Sequence, residues 1–346
     1  MKELNEKLEK LENITKPKIG IVGTTSWGTA LSIIIARNHK NITLFSRSIS
    51  EANQLNEKRI NSKLGESIKI SKNIMISNIN NKINKLDLII IAVPSQKFRE
   101  NVLQIKKYLN PQTLIVSATK GLEKNTCKRM SEILEEELGS SVSEKICVLS
   151  GPNLALEVVT QKHSSTVLAS KNISTATQVQ QILNSKEFRA YTNSDIIGVE
   201  LGGALKNIIA LGAGICDGLK VGDNAKAAFI TRGLKEITRL AISVGANPET
   251  LSGLSGLGDL IATCSSTLSR NHSVGEKLAQ GIDIQTIQQS MIHVAEGIET
   301  ASVAVQLAKK FDVELPITTG INSIIQKELS LTEAISKLLD RSPLHE

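Results

Sequence analysis

The fold is decided by the stretch Lys18-Ile19-Gly20-Ile21-Val22-Gly23-Thr24-Thr25-Ser26-Trp27-Gly28. A short apolar run, typical of a buried parallel strand, leads into a glycine turn, and an aliphatic helical stretch follows over 29–37. Strand, turn and helix in this order are typical of the opening of a dinucleotide-binding unit, whose helix N-terminus offers free N–H groups to a pyrophosphate. Because Thr25 stands where the usual fingerprint has glycine, this stretch alone also fits an ordinary strand-to-helix turn.

The chain that follows alternates strand and helix signals. Strands are predicted at 41–46, 74–76, 86–93, 113–117, 145–149 and 165–169, and helices at 98–109 and 126–138. This alternation predicts an α/β domain with a Rossmann-like, mainly parallel sheet. After about Asn193 the strand signals stop, and seven stretches are predicted as helices: 196–216, 224–245, 249–262, 271–280, 284–290, 296–311 and 317–340.

We therefore predict three parts in the chain. Residues 1–16 form a charged N-terminal extension, 17–192 a dinucleotide-binding α/β domain, and 193–346 an all-helical C-terminal domain that binds the substrate. In an open α/β sheet, ligands bind beyond the carboxyl ends of the strands. Arg47, Pro94, Lys120 and the turn 150–153 each follow a predicted strand, so we expect them at that edge. Arg47 suits the 2′-phosphate of NADPH, although a solvated arginine at a strand end is also common.

One lysine lies in an apolar helical stretch, Val199-Glu200-Leu201-Gly202-Gly203-Ala204-Leu205-Lys206-Asn207. Burial disfavours the charged form of Lys206 and lowers its pKa toward neutrality, where a lysine can donate or accept a proton. The glycines would let another backbone or a ligand come close. The alternative is a lysine whose stem packs while its ammonium reaches water.

Three polar clusters occur in the helical half. Asp259 follows two glycines and has Thr263 at i+4; the second cluster is 269–272; the third is 295–297. Each has an ordinary explanation, since Asp259 could cap a helix, Arg270 could be a surface side chain, and Glu296 could lie in a first helical turn.

Composition excludes several function classes. The net charge of +7 is spread along 346 residues without an arginine-rich arm, which disfavours nucleic acid as a partner. Four cysteines without CxxC spacing suggest reduced thiols and a cytoplasmic protein. The N-terminus has no apolar signal-peptide region, and the longest apolar stretches are too short to span a bilayer. Since His272 and His293 lack metal-ligand spacing, we expect no metal site.

The motifs together resemble those of the bacterial-type NAD(P)-dependent glycerol-3-phosphate dehydrogenases. The resemblance covers about residues 17–340, with Thr25 as a departure from the family's usual glycine. The matching stretches, in family order, are 23–31, 93–95, 118–123, 149–153, 200–207, 230–233, 256–260 and 269–271.

This resemblance implies interconversion of dihydroxyacetone phosphate and sn-glycerol 3-phosphate, which would supply glycerophospholipid synthesis. Lys206 would be the general acid and base, Lys120 would stabilise charge on the carbonyl, and Asp259 would hold Lys206. The substrate-binding residues implied are Lys120, Gly151, Asn153, Lys206, Asn207, Asp259, Thr263, Ser269, Arg270 and Asn271. Those implied for the cofactor, NADPH in preference to NADH, are Gly23, Ser26, Trp27, Gly28, Arg47, Pro94, Lys120, Ala155, Arg270, Val294 and Glu296.

Two other hypotheses remain open at this point. The first is a related two-domain NADP-dependent hydroxyacid dehydrogenase, against which Arg270 and Asn271 argue, because a carboxylate substrate does not require a phosphate clamp. The second is a dinucleotide-binding regulatory protein without catalysis, which Thr25 favours and the set Lys120, Lys206 and Asp259 disfavours. A symmetric homodimer is the default expectation.

Overall fold

The computed structural model describes residues 17–291 and 295–340, so the predicted extension 1–16 and Val294 lie outside the described residues. Eight strands form one sheet. Their bounds are β1 Ile19–Val22, β2 Ile42–Ser46, β3 Ile74–Asn78, β4 Leu88–Ile91, β5 Leu114–Ser117, β6 Ile146–Ser150, β7 Ser164–Ala169 and β8 Phe188–Asn193.

The strand order is β3-β2-β1-β4-β5-β6-β7-β8. The first six strands are parallel, as predicted, with Ile21 of β1 between Leu44 of β2 and Ile90 of β4. β7 runs antiparallel to β6, and β8 is parallel to β7. Consequently the carboxyl ends of β1, β2, β4, β5 and β6 meet at one edge, and the start of β7 reaches the same edge.

Helices cover both faces of the sheet. The bounds in this half are α1 Ser26–Ile35, α2 Ile49–Lys58, α3 Phe98–Lys106, α4 Met130–Leu138, α5 Ala155–Val159 and α6 Ile173–Leu183. Strand residues alternate between two aliphatic cores, since Leu88 and Ile90 pack with α1 and α6, whereas Ile89 and Ile91 pack with α3 and α4.

The second half of the described chain is helical. Its helices are α7 Ile196–Gly218, α8 Asp223–Ser243, α9 Pro248–Ser252, α10 Asp259–Ser265, α11 Arg270–Ala279, α12 Ile284–Ser290, α13 Glu296–Lys310, α14 Pro316–Ile325 and α15 Leu331–Leu339. Helix α7 lies at the centre of this half. Contrary to the expectation that the longest apolar stretches are too short to span a bilayer, α7 is long and apolar enough to do so. However, 94% of its most apolar part is buried within the protein, so it is a core helix.

Three predicted helices differ from the observed ones. The helix predicted at 126–138 begins only at Met130, because an antiparallel bridge between Leu122 and Arg129 closes a loop before it. The stretch 249–262 is interrupted by a π-helical turn over Leu254–Gly258, which contains Gly256 and Gly258 and is preceded by Gly253. The stretch 317–340 is divided into α14 and α15 by a turn in which Lys327 has a positive φ of 61°.

Candidate active site

The glycine turn after β1 requires two of its glycines. Gly23 has a φ of +113°, and a Cβ there would lie 2.5 Å from the carbonyl oxygen of Ala92. A Cβ on Gly28 would lie 2.0 Å from the Gly23 oxygen. Position 25 does not require a glycine, because the backbone of Thr25 is extended. The Thr25 hydroxyl caps α1 by accepting a hydrogen bond from Gly28 N at 3.0 Å. The substitution at the family's glycine position therefore supplies a helix N-cap.

A carboxylate bridges two lysines where the sheet meets the helical half. Asp259, at the start of α10, accepts from Lys206 Nζ at 2.7 Å and from Lys120 Nζ at 2.6 Å, through different oxygens. Lys206 also donates to Thr263 Oγ1 at 2.5 Å, and Lys120 to the Gly151 carbonyl at 2.8 Å. Since an ammonium has three donors, each lysine keeps one N–H beyond these bonds.

Burial tunes the proton affinity of Lys206. Its side chain is 8% exposed, and the loss of hydration lowers its pKa to about 8, assisted by Lys120 and opposed by Asp259. A lysine of this pKa populates both protonation states near neutrality. Gly203, one turn before Lys206 on α7, allows α7 to lie close against the end of β6, because a Cβ there would lie 2.2 Å from Ser150 Oγ.

Two polar atoms beside this cluster are buried without a protein partner among residues 17–291 and 295–340. They are Ser150 Oγ and Asn153 Oδ1, in the turn that supplies the Gly151 carbonyl. Buried polar atoms are normally hydrogen-bonded, so this turn offers groups to a ligand or to water.

The predicted phosphate-binding residues lie at the N-terminus of α11. Ser269 is the N-cap and accepts from His272 N at 3.2 Å. Arg270 is exposed, and no protein hydrogen bond or ion pair holds it within the described ranges. The protein around it lowers its pKa by desolvation, while Glu296 acts in the opposite direction. Asn271 is buried, donating to Asn207 Oδ1 at 2.9 Å and accepting from Gly297 N at 3.0 Å.

Glu296 connects the helical half to the sheet. At the start of α13 it accepts from Ser95 Oγ at 2.5 Å and from Ser95 N at 3.3 Å, immediately after Pro94. Burial raises its pKa, while these two bonds and Arg270 act in the opposite direction. Sequence patterns do not reveal such a pair, because the partners are 201 residues apart.

The other predicted cofactor residues lie around the glycine turn. Trp27 and Ala155 pack against a small cluster of Ala30, Leu64 and Val159, and Trp27 Nε1 is buried without a partner among the described residues. Ser26 Oγ donates to the Lys63 carbonyl at 2.6 Å. Arg47 directly follows β2 with an 86% exposed side chain, 3.9 Å from Glu51.

Sequence reasoning missed a group of polar residues in the segment 50–82. Glu51 accepts from Thr24 Oγ1 at 2.7 Å and from Lys63 Nζ at 3.3 Å, and Asn61 donates to the Thr24 carbonyl at 3.0 Å. These contacts support the glycine turn. The segment has no periodic pattern that would have indicated them.

Within the described ranges, no group of three or more His, Cys, Asp or Glu side chains could hold a metal ion.

Family models match both halves of the chain. The model described as NAD-dependent glycerol-3-phosphate dehydrogenase N-terminus matches residues 18–176, and the corresponding C-terminus model matches residues 195–336. Glycerol-3-phosphate dehydrogenase (NAD(P)+) from Dehalococcoides mccartyi is 46% identical over 331 residues, covering 95% of this chain and 92% of the relative. The enzyme of the same name from Halalkalibacterium halodurans is 41% identical over 328 residues, covering 95% of both chains.

Solved structures agree with these matches. The glycerol-3-phosphate dehydrogenase of Coxiella burnetii superposes with a TM-score of 0.89 at 36% identity, covering 94% of this chain and 99% of that one. A ketopantoate reductase family structure from Ralstonia eutropha reaches a TM-score of 0.59 at 14% identity, covering 89% of this chain and 97% of that one, which shows a shared fold alone.

Proposed function

The chain belongs to the NAD-dependent glycerol-3-phosphate dehydrogenase family, and from this premise we propose that Lys206 is its general acid in reducing dihydroxyacetone phosphate to sn-glycerol 3-phosphate. The observation that carries the proposal is the Asp259 carboxylate, which bridges Lys206 and Lys120 at the carboxyl edge of the sheet. Among known dehydrogenase chemistries, carbonyl reduction needs a proton donor and a positive group beside one oxygen, which these two lysines supply.

The residues around the glycine turn fit a dinucleotide. The α1 N-terminus is suited to its pyrophosphate. Trp27 Nε1 has no partner among the described residues, and the exposed Arg47, which lies 3.9 Å from Glu51, can reach a 2′-phosphate. The remaining residues proposed to hold it are Gly23, Ser26, Gly28, Pro94, Lys120, Ala155, Arg270, Val294 and Glu296. When bound, reduced NAD(P) supplies the hydride for C2 of the substrate.

Lys206 donates its proton to the carbonyl oxygen as negative charge develops there during reduction. In the reverse direction the neutral amine takes the proton from the C2 hydroxyl. Lys120, held by Asp259 and the Gly151 carbonyl, presents its remaining N–H to the same oxygen and stabilises the developing charge.

Arg270 and the N-terminus of α11 are proposed to bind the phosphate of the substrate. A guanidinium pairs with phosphate oxygens bidentately, and the exposed Arg270 makes no hydrogen bond or ion pair with the described protein groups. The other substrate contacts proposed are Gly151, Asn153, Asn207, Asp259, Thr263, Ser269 and Asn271.

We further propose that residues 17–192 form the dinucleotide-binding domain and 193–346 the substrate domain. A cytoplasmic homodimer that supplies sn-glycerol 3-phosphate to phospholipid synthesis is the biological form we infer. The measurement that tests the activity is oxidation of NADPH and NADH with dihydroxyacetone phosphate, with ketopantoate as the control substrate. Folded protein that binds NADPH but turns over only ketopantoate would contradict the proposal.

The two directions of the reaction should depend oppositely on pH. Because reduction needs the ammonium form of Lys206 and its pKa in the free protein is about 8, kcat/KM for reduction should fall as pH rises through about 8. Oxidation needs the neutral amine, so its kcat/KM should rise over the same range. Full pH profiles in both directions test this, and limbs that move in the same direction would contradict the assigned role.

Arg47→Asp should shift cofactor preference from NADPH toward NADH. The substitution removes the guanidinium proposed to pair with the 2′-phosphate and installs an acceptor suited to a ribose hydroxyl. The ratio of kcat/KM for the two cofactors is the measurement. Lys40→Asp, an equal charge change at the exposed opposite end of β2, is the control. An unchanged ratio for Arg47→Asp would show that Arg47 does not contact the 2′-phosphate.

A further inference from the structure

The N-terminus of α4 is capped by a side chain from α7. Glu200 accepts from Ser131 N at 2.8 Å through one oxygen, and from Ser131 Oγ at 2.6 Å and Arg129 Nη1 at 2.8 Å through the other. Arg129 occupies the N-cap position but has no acceptor side chain, so the free N–H of Ser131 is satisfied from α7 instead.

This contact is buried and charged. The Arg129 and Glu200 side chains are 13% and 7% exposed. Burial raises the pKa of Glu200, although Arg129 and Ser131 act in the opposite direction. A buried ion pair is a weak source of stability, since packed apolar groups often serve as well. What the contact does provide is a direct link between the start of α4 and the first part of α7.

The same contact adjoins the loop that follows Lys120, in which Glu123 also pairs with Arg99. Arg129 forms the antiparallel bridge with Leu122, and Glu123 N donates to the Lys128 carbonyl at 2.9 Å. Leu122 is fully buried in the core of the helical half, together with Leu201 and Leu205 of α7. The segment 120–129 is thus attached to α7 near both of its ends. Leu122, two residues after Lys120, packs in the same core as α7, and Arg129 bonds to Glu200.

We infer that Glu200 is a positioning residue that holds the segment 120–129 on α7, so that Lys120 and Lys206 reach the same Asp259 carboxylate. The inference rests on the proposed roles of the two lysines. Lys120 comes from the sheet half and Lys206 from α7, so their spacing depends on how these elements meet. Glu200 itself is not among the groups that contact Asp259, and it acts through Arg129 and Ser131.

Glu200→Gln tests the inference, because the amide keeps the volume but cannot accept with both ends. We expect kcat to fall about 10-fold, since misplacing a catalytic group by about 1 Å can cost on the order of 10²-fold. If Lys120 moves away, the pKa of Lys206 rises, and the pH limb for reduction moves to higher pH. Glu157→Gln, on α5 and paired with Lys162 away from the segment 120–129, is the control and should change neither quantity.

Two more variants keep the result interpretable. Ser131→Ala removes one hydroxyl donor to Glu200 and should shift kcat and the pH limb in the same direction by less; it decides the question if Glu200→Gln fails to fold. In a Lys120→Ala background, Glu200→Gln should have no further effect on kcat. A lower melting temperature with unchanged kcat and pH limb would overturn the inference, and so would full additivity with Lys120→Ala.

The failure of this inference can be told apart from failure of the proposed function. If Lys120→Ala lowers kcat while Glu200→Gln does not, the role of Lys120 stands and the positioning role of Glu200 is wrong. If Lys120→Ala leaves kcat unchanged, the proposed role of Lys120 is wrong, and the inference built on it is overturned too.

Discussion

Lys206→Ala should lower kcat by ~10²–10⁴-fold in both directions while reduced cofactor still binds, as the loss of a positioned acid–base group implies. Lys206 is the group in the candidate site whose pKa is brought to about 8 by burial and whose ammonium retains an unused donor. Alanine removes the proton source without adding bulk. The cluster would still contain Lys120 and Asp259, which can hold the substrate but not replace a proton donor at that position.

Single-turnover and steady-state kinetics measure this effect. Trp27 is the single tryptophan of the sequence and adjoins the glycine turn, so its fluorescence can report cofactor binding independently of turnover. Lys235→Ala, an exposed lysine on α8, is the control and should leave kcat unchanged. If Lys206→Ala retains the parent kcat with intact cofactor binding, Lys206 is not the proton donor.

Asp259→Asn should damage both stability and activity. Asp259 is 2% exposed and compensates two ammonium groups, and removing one partner of such a buried ionic group costs about 3–5 kcal/mol of unfolding free energy. The loss of its attraction would also lower the pKa of Lys206 below about 8, because Asp259 is the main influence that raises it. Less of the enzyme would then hold a proton at neutral pH, and kcat for reduction should fall.

Urea unfolding and a pH profile separate these two effects. The pH at which the activity for reduction falls should decrease, and part of the lost activity should be recovered when the assay pH is lowered. Glu100→Gln, which removes an exposed carboxylate paired with Lys97, is the control, and its effect on stability should be far smaller. A limb at unchanged pH in Asp259→Asn would contradict the electrostatic coupling of Asp259 to Lys206.

Most of the sheet could be predicted because its strands carry a local signal, but β8 at Phe188–Asn193, with half of its residues exposed, was missed. Runs such as 88–91, bounded by turn residues, are buried on both sides and predict parallel strands. The helix limits were less predictable where tertiary contacts decide them. Residues 126–129 have helical character, yet the Leu122–Arg129 bridge holds them in a loop, and α4 begins at Met130.

The candidate site, too, could be predicted from the sequence only in part. Lys120 could be expected at the sheet edge from its position after a strand, and Asp259 with Thr263 from their i+4 spacing. The contacts of Glu200 with Ser131 and of Glu296 with Ser95 could not be expected. These residues are 69 and 201 positions apart, and no periodicity relates them.

The burial of α7 has a consequence for how the protein opens. Eighteen of its residues are buried, from Ile196 to Ile215, and they form the centre of the helical half. We expect its amide hydrogens to exchange with deuterium only when that half unfolds as a unit, whereas exposed segments exchange through local fluctuations. The backbone that carries Lys206 should therefore be among the slowly exchanging parts of the helical half, so that local fluctuations of exposed segments leave the position of Lys206 unchanged.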